Sequence, residues 1–132
     1  LKAHGRPRKP QDLGRHEALI YSTVQGDERW LLSGTDGRQI SVSVRGRLRS
    51  NNLSMLLAAA RQGFGIAALP RYVAHRSLTE GALTSVLDDW ALPSQEVHAV
   101  FPSPRMVPAK VRLLITWLQS QFGPDWWARP ND

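Results

Sequence analysis

At Ser50 the apolar pattern of the chain changes its period. Over Gln39–Arg49 it alternates: Ile40, Val42, Val44, Gly46 and Leu48 fall on one face, and Ser41, Ser43, Arg45, Arg47 and Arg49 on the other. That is the spacing of a half-buried strand. Beyond Ser50, Leu53, Leu56, Leu57 and Ala60 recur at helical spacing, which predicts an amphipathic helix over Asn51–Gln62. Ser50, Asn51 and Asn52 are good N-cap residues, and Gly63 is a natural residue just past a helix end. Gly65–Leu69 is too short and too apolar for a surface helix and reads as a buried strand of a parallel sheet.

The flanks extend this pattern. Ala18–Tyr21 and Arg29–Leu32 read as strands, with a turn at Gly26-Asp27-Glu28 between them, and Asp36-Gly37 is a hairpin signal before Gln39. Pro70 opens a second short helix to about Ser77, and Gly81 ends the turn after it. Leu83–Leu87 and Val97–Phe101 are read as further strands, the latter closed by Pro102 and Pro104. The last helix, near Ala109–Phe122, carries the stripe Val111, Leu114, Ile115, Leu118 and Phe122, widened by Leu113 and Trp117. Gly123-Pro124 ends it before a tail from Asp125. The fold class is therefore α/β, a mixed sheet with flanking helices.

Composition narrows the function. Cysteine is absent, so disulfides, thiol nucleophiles and cysteine-based zinc sites are excluded. No apolar run reaches the roughly 20 residues of a membrane span, and the default compartment is the cytoplasm. His4, His16, His75 and His98 lack ligand spacing, and no Gly-x-Ser-x-Gly elbow or phosphate-binding loop is present. Neither an enzyme, a cofactor nor a metal is indicated. The net charge of +6 invites a nucleic-acid reading. The excess is concentrated in Leu1–His16, where Lys2, Arg6, Arg8, Lys9 and Arg15 face one acid, Asp12. A competing reading is thus a basic nucleic-acid-binding protein that uses this arm and the Arg45/Arg47/Arg49 face. Against it, the aromatic residues do not interleave with basic ones as a nucleic-acid platform requires.

One element points to ligand binding. A strand runs directly into the polar helix start Ser50-Asn51-Asn52. A helix start presents unpaired N–H groups and partial positive charge, to which small anions bind. The crevice beyond the strand ends is the usual ligand position in α/β sheets. Plain helix capping explains the same residues without a ligand.

Asn51-Asn52, Leu56–Gln62 and Gly63-Phe64-Gly65-Ile66-Ala67-Ala68-Leu69-Pro70 resemble the helix–Gly-x-Gly-Ile-x-x-x-Pro segment of the effector-binding domain of LysR-type transcriptional regulators. His4-Gly5-Arg6-Pro7, Pro10-x-Asp12-Leu13 and His16 resemble that family's connector into its second subdomain. Arg47–Asn52, Gly81-x-Leu83, Val86-Leu87, Trp90, Val97-x-Ala99-Val100-Phe101-Pro102 and Pro108-x-Lys110-Val111-Arg112 follow in the family's order.

The resemblance implies a type 2 periplasmic-binding-protein-like fold, two α/β lobes with a ligand cleft between them. On that map residues 1–16 are the connector, and 17–101 form the second lobe. Residues 102–132 are the returning segment of the first lobe, with its closing helix near 109–122, and a tail. The first half of the first lobe and the N-terminal winged helix-turn-helix, which reads DNA, lie outside the chain. The resemblance places Asn51 and Asn52 at the cleft, Tyr21 and Ser22 on its wall and Ile66 on its floor, around a small, anionic effector. It also implies a homodimer and DNA contact only through the missing N-terminal domain. The apolar stripe of the closing helix then lacks its sheet. It is expected to pack on a second copy of the chain or on its own lobe in a position foreign to the family.

Overall fold

The computed structural model describes residues 5–22, 28–94, 96–101, 107–122 and 126. Two compact units divide it, Leu1–Pro93 and Ser94–Asp132. The expected Gly26-Asp27 turn, Lys2 and His4 of the basic arm, Pro102 and Pro104, and the Gly123-Pro124 stop lie outside the described residues.

The first unit begins with a 3-10 helix, Pro10–Arg15. The Asp12 carboxylate accepts the backbone N–H groups of Arg8 and Lys9 at 3.0 and 3.1 Å. The Arg8 bond, above all, holds the Asp12 carboxyl below its ordinary value of 3.8. Strands β1 (Glu17–Tyr21), β2 (Arg29–Gly34), β3 (Gln39–Ser43) and β4 (Arg45–Ser50) follow. Then come α1 (Leu53–Arg61), β5 (Ile66–Ala67), α2 (Arg71–Thr79) and β6 (Trp90–Ala91).

These strands form two three-stranded sheets rather than one mixed sheet. One is parallel, in the order β4-β1-β5, and the other is antiparallel, in the order β3-β2-β6. The two sheets share a core. Ala18 and Ile20 of β1 meet Trp30 and Leu32 of β2, Val42 of β3, Val44, and Leu13 of the 3-10 helix. Leu19 points to the other face of β1 and is fully buried, as is Leu56 of α1. β1 is thus covered on both sides, which is why its apolar run does not alternate.

The run Gln39–Arg49, expected to be one strand, is two. The break falls at Val44, which is buried and whose N–H donates to the carbonyl of Glu28 at 2.7 Å. Before it the chain pairs antiparallel with β2, and after it parallel with β1. Bending one run across two packed sheets in this way makes a corner between them. A bulge follows. Ala18 lies opposite Gly46 and Leu19 opposite Leu48, so Arg47 is the extra residue and the strict alternation ends there.

The hairpin at Asp36-Gly37 forms as expected, with the Gly34 N–H on the Arg38 carbonyl at 2.8 Å. α1 and α2 form within a few residues of their expected bounds. Gly63 takes φ +74 just beyond α1, and the Phe64 N–H reaches back to the Ala59 carbonyl. Leu83–Leu87 is not a strand. Leu87 adopts φ 58, which breaks an extended run, and Arg6 donates to the Ser85 carbonyl and the Asp88 carboxylate from outside any sheet. The chain instead joins the antiparallel sheet a little later, through β6, whose Ala91 lies opposite Ser33.

In the second unit, α3 (Ala109–Gln121) matches the expected closing helix. None of its residues is buried, and Leu113, Leu114, Trp117 and Phe122 are more than half exposed. Val97–Phe101 forms no strand. Val97 and Val100 are exposed, and no neighbouring strand is present among the described residues of this unit to complete a ladder.

Candidate ligand-binding site

The parallel register places four of the five candidate residues together. Tyr21 lies opposite Ser50 where β1 and β4 end side by side. The Ser22 N–H donates to the Ser50 carbonyl at 3.2 Å, which extends the pairing by one residue. Asn51 and Asn52 leave the same end and turn the chain into α1. Tyr21, Ser22, Asn51 and Asn52 therefore share one rim, at the carboxyl ends of two adjacent parallel strands.

The two asparagines have different roles. The Asn52 side-chain oxygen accepts the N–H groups of Ser54 and Met55 at 2.9 and 3.2 Å, and its own N–H donates to the Ser50 hydroxyl at 3.0 Å. Asn52 is the helix cap, and two of the first-turn donors are committed to it. Asn51 is exposed, and its carboxamide has no hydrogen-bond partner among the described residues. Asn52→Ala is expected to cost about 1 kcal/mol of stability. Asn51→Ala should change stability by less than about 0.5 kcal/mol. Urea denaturation of the two variants checks the division. Equal losses would contradict it.

Ile66 is not part of that rim. It pairs with Ala18, near the start of β1, and packs against the core between the sheets. It also lines a large groove at the opposite end of the parallel sheet, together with His16, Glu17 and the last residues of α1. Local pattern shows that Ile66 is in a strand. Only the register shows which end of the sheet it occupies.

The arginine face does not form either. Arg47 stacks over the Phe64 ring at 5.2 Å and points a guanidinium N–H at the Phe64 carbonyl at 3.4 Å. Arg49 instead pairs with Glu28 at 2.8 Å. The bulge at Arg47 is the cause, because an inserted residue turns the side chains on its two sides out of register. This removes the stripe that the nucleic-acid reading required. No group of His, Asp or Glu residues suited to a metal ion is present among the described residues, and no described helix is long and apolar enough to cross a membrane.

A parallel sheet with helices and a polar rim at its strand ends defines an α/β lobe. The family model of the LysR substrate binding domain matches residues 1–123, and the chain belongs to that family. It is 32% identical over 111 residues to an uncharacterised HTH-type transcriptional regulator of Haemophilus influenzae, covering 84% of this chain and 38% of the relative. It is 30% identical to the HTH-type transcriptional regulator PtxR of Pseudomonas aeruginosa, covering 87% of this chain and 36% of that protein.

Among solved structures, full-length AphB, a virulence activator of Vibrio cholerae, superposes with a TM-score of 0.72 at 26% identity, covering 90% of this chain and 40% of that one. The regulatory domain of AphB from Vibrio vulnificus gives 0.70 at 26% identity, covering 90% of this chain and 58% of that one. The chain thus spans about two fifths of the length of these curated relatives.

Proposed function

We propose that this chain is the effector-sensing part of a LysR-type transcriptional regulator. Residues 17–101 act as the second lobe of a two-lobed domain, 1–16 as the connector into it, and 102–132 as the segment returning to the first lobe. A small anionic molecule binds between the lobes, with Asn51 as the principal contact, Asn52 holding the helix start, and Tyr21 and Ser22 beside them. The observation that carries this reading is the Asn51 carboxamide, exposed and without a hydrogen-bond partner among the described residues, on a rim of strand ends beside the capped start of α1.

Closure on the ligand would change the lobe angle and, through it, the spacing of DNA-reading domains carried elsewhere in a homodimer. That requires the ligand to bind open and closed forms with different affinity. The bare apolar stripe of α3 supports a further packing surface, supplied by the first lobe or by a second copy.

The test is a calorimetric screen of small carboxylic acids against the intact regulator and its Asn51→Leu variant. A hydrogen bond to a charged ligand contributes about 1.5–3 kcal/mol, so the variant should bind at least about tenfold more weakly. Finding no binder, or a binder indifferent to Asn51→Leu, would refute the assignment.

A further inference from the structure

A large groove of the first unit lies away from the Asn51 rim. It encloses about 1070 Å3 at the other end of the parallel sheet, where α1 ends and β1 begins. Ligand sites commonly occupy about 300–1000 Å3, so the space suits a small molecule. Its walls come from six parts of the chain: the entry to β1, Arg47 of β4, the end of α1 with the Gly63–Gly65 turn, β5, α2, and the 82–92 segment. Ile66, Leu78, Leu83, Leu87 and Trp90 make much of the lining apolar. Gly63 and Gly65 also line it, on either side of the exposed Phe64.

The charged groups at this groove are unequal in what they can offer. Asp88 is held by Arg6 at 3.2 Å, and its other oxygen is bound to the Ser85 hydroxyl. Arg61 donates to the Ser77 hydroxyl at 3.4 Å. Arg47 has only the Phe64 ring and a 3.4 Å contact to the Phe64 carbonyl, with no carboxylate paired to it by an ion pair among the described residues. The Phe64 ring lies beside its guanidinium, whose N–H fork suits a carboxylate. Arg61 and Arg71 add two further positive charges at the groove, and Glu17 a negative one. A surplus of guanidinium groups, one of them without a paired carboxylate among the described residues, and a largely apolar lining together suit an apolar molecule with a carboxylate.

We propose that this groove is a second ligand site, separate from the Asn51 rim, and that it takes an aromatic carboxylate with its carboxylate on Arg47 and its ring against the apolar lining that includes Leu83, Leu87 and Trp90. The Arg6–Asp88 pair acts as a positioning device for this site. It ties the N-terminal arm to the loop that carries Leu87 and Trp90.

The test uses 2-naphthoate as the probe, titrated into the 15N-labelled chain and followed by amide chemical shifts. Saturable, stoichiometric shifts are expected at Gly63, Gly65, Ala82 and Leu83. Arg47→Gln should weaken binding about tenfold or more, and the neutral analogue 2-naphthylmethanol should bind weaker by a similar factor. Ala82→Trp, which adds bulk from an exposed loop, should abolish the shifts without unfolding the chain. Shifts confined to Ser22 and Asn51, or to α3, would overturn this proposal, the first of them while supporting the Asn51 rim. Equal binding of acid and alcohol, or indifference to both substitutions, would overturn it as well.

Discussion

Gly65→Val is expected to lower the unfolding free energy by about 3 kcal/mol or more and to separate β5 from β1. A β-carbon at Gly65 would stand 2.5 Å from the carbonyl oxygen of Glu17 and 3.0 Å from its carbonyl carbon. The obstruction is backbone of the central strand, which cannot rotate aside as a side chain would. Relief requires β5 to move off β1, and β5 is held there by only two paired positions, Ala18 with Ile66 and Leu19 with Ala67.

Gly63 provides the control. It has φ +74, and nothing lies within 4 Å of the place a β-carbon would take, so Gly63→Ala carries only the left-handed backbone cost of about 1 kcal/mol. Thermal and urea unfolding of both variants would decide the matter. Comparable losses at the two glycines would mean that close approach of β5 to β1 is not what position 65 requires.

Leu56→Ala should cost about 3 kcal/mol, within the range found when a fully buried leucine is truncated. Leu56 is the one buried residue of α1 and has no exposed surface, and Leu19 on the facing side of β1 is equally buried. With so short a helix, the anchoring of α1 to the sheet depends on this contact more than on helix propensity. The neighbouring Met55 is 54% exposed, and Met55→Ala should stay within about 0.5 kcal/mol of the parent. Since α1 carries the Asn51 rim at its start, Leu56→Ala should also weaken any ligand bound there, whereas Met55→Ala should not. A Leu56→Ala loss below about 1 kcal/mol would show that α1 is held by some other contact.

Much of the α1 region was readable in the chain because its signals are local. Asn52 caps, Leu56 faces the sheet and Gly63 ends the helix, each for a reason contained within a few residues. The Asp36-Gly37 hairpin is of the same kind. The misreadings share a different cause. Gln39–Arg49 alternates perfectly, yet it serves two sheets, because its pairing partner changes from β2 to β1. Leu83–Leu87 has the composition of a strand, and Leu87 nonetheless turns left-handed while the loop is tied to Arg6. Val97–Phe101 has strand composition and no strand beside it among the described residues of its unit.

The candidate site divides along the same line. That Ser50-Asn51-Asn52 begins a helix follows from residue type and spacing. That Tyr21 and Ser22 stand beside it, that Ile66 does not, and that Asn51 rather than Asn52 has a carboxamide without a partner among the described residues all follow from register and hydrogen bonding. The pairing of Arg6 with Asp88 and the stacking of Arg47 on Phe64 have no local signature at all.

Helix ends, turns and the apolar side of a helix were decided by the order of residues, since the forces that set them act over one or two turns of backbone. Which strands lie together, where a bulge redirects an arginine and which end of the sheet holds a groove were decided by folding in three dimensions. Strand pairing joins backbone groups that are alike at every residue, so the choice of partner comes from burial summed over the whole unit.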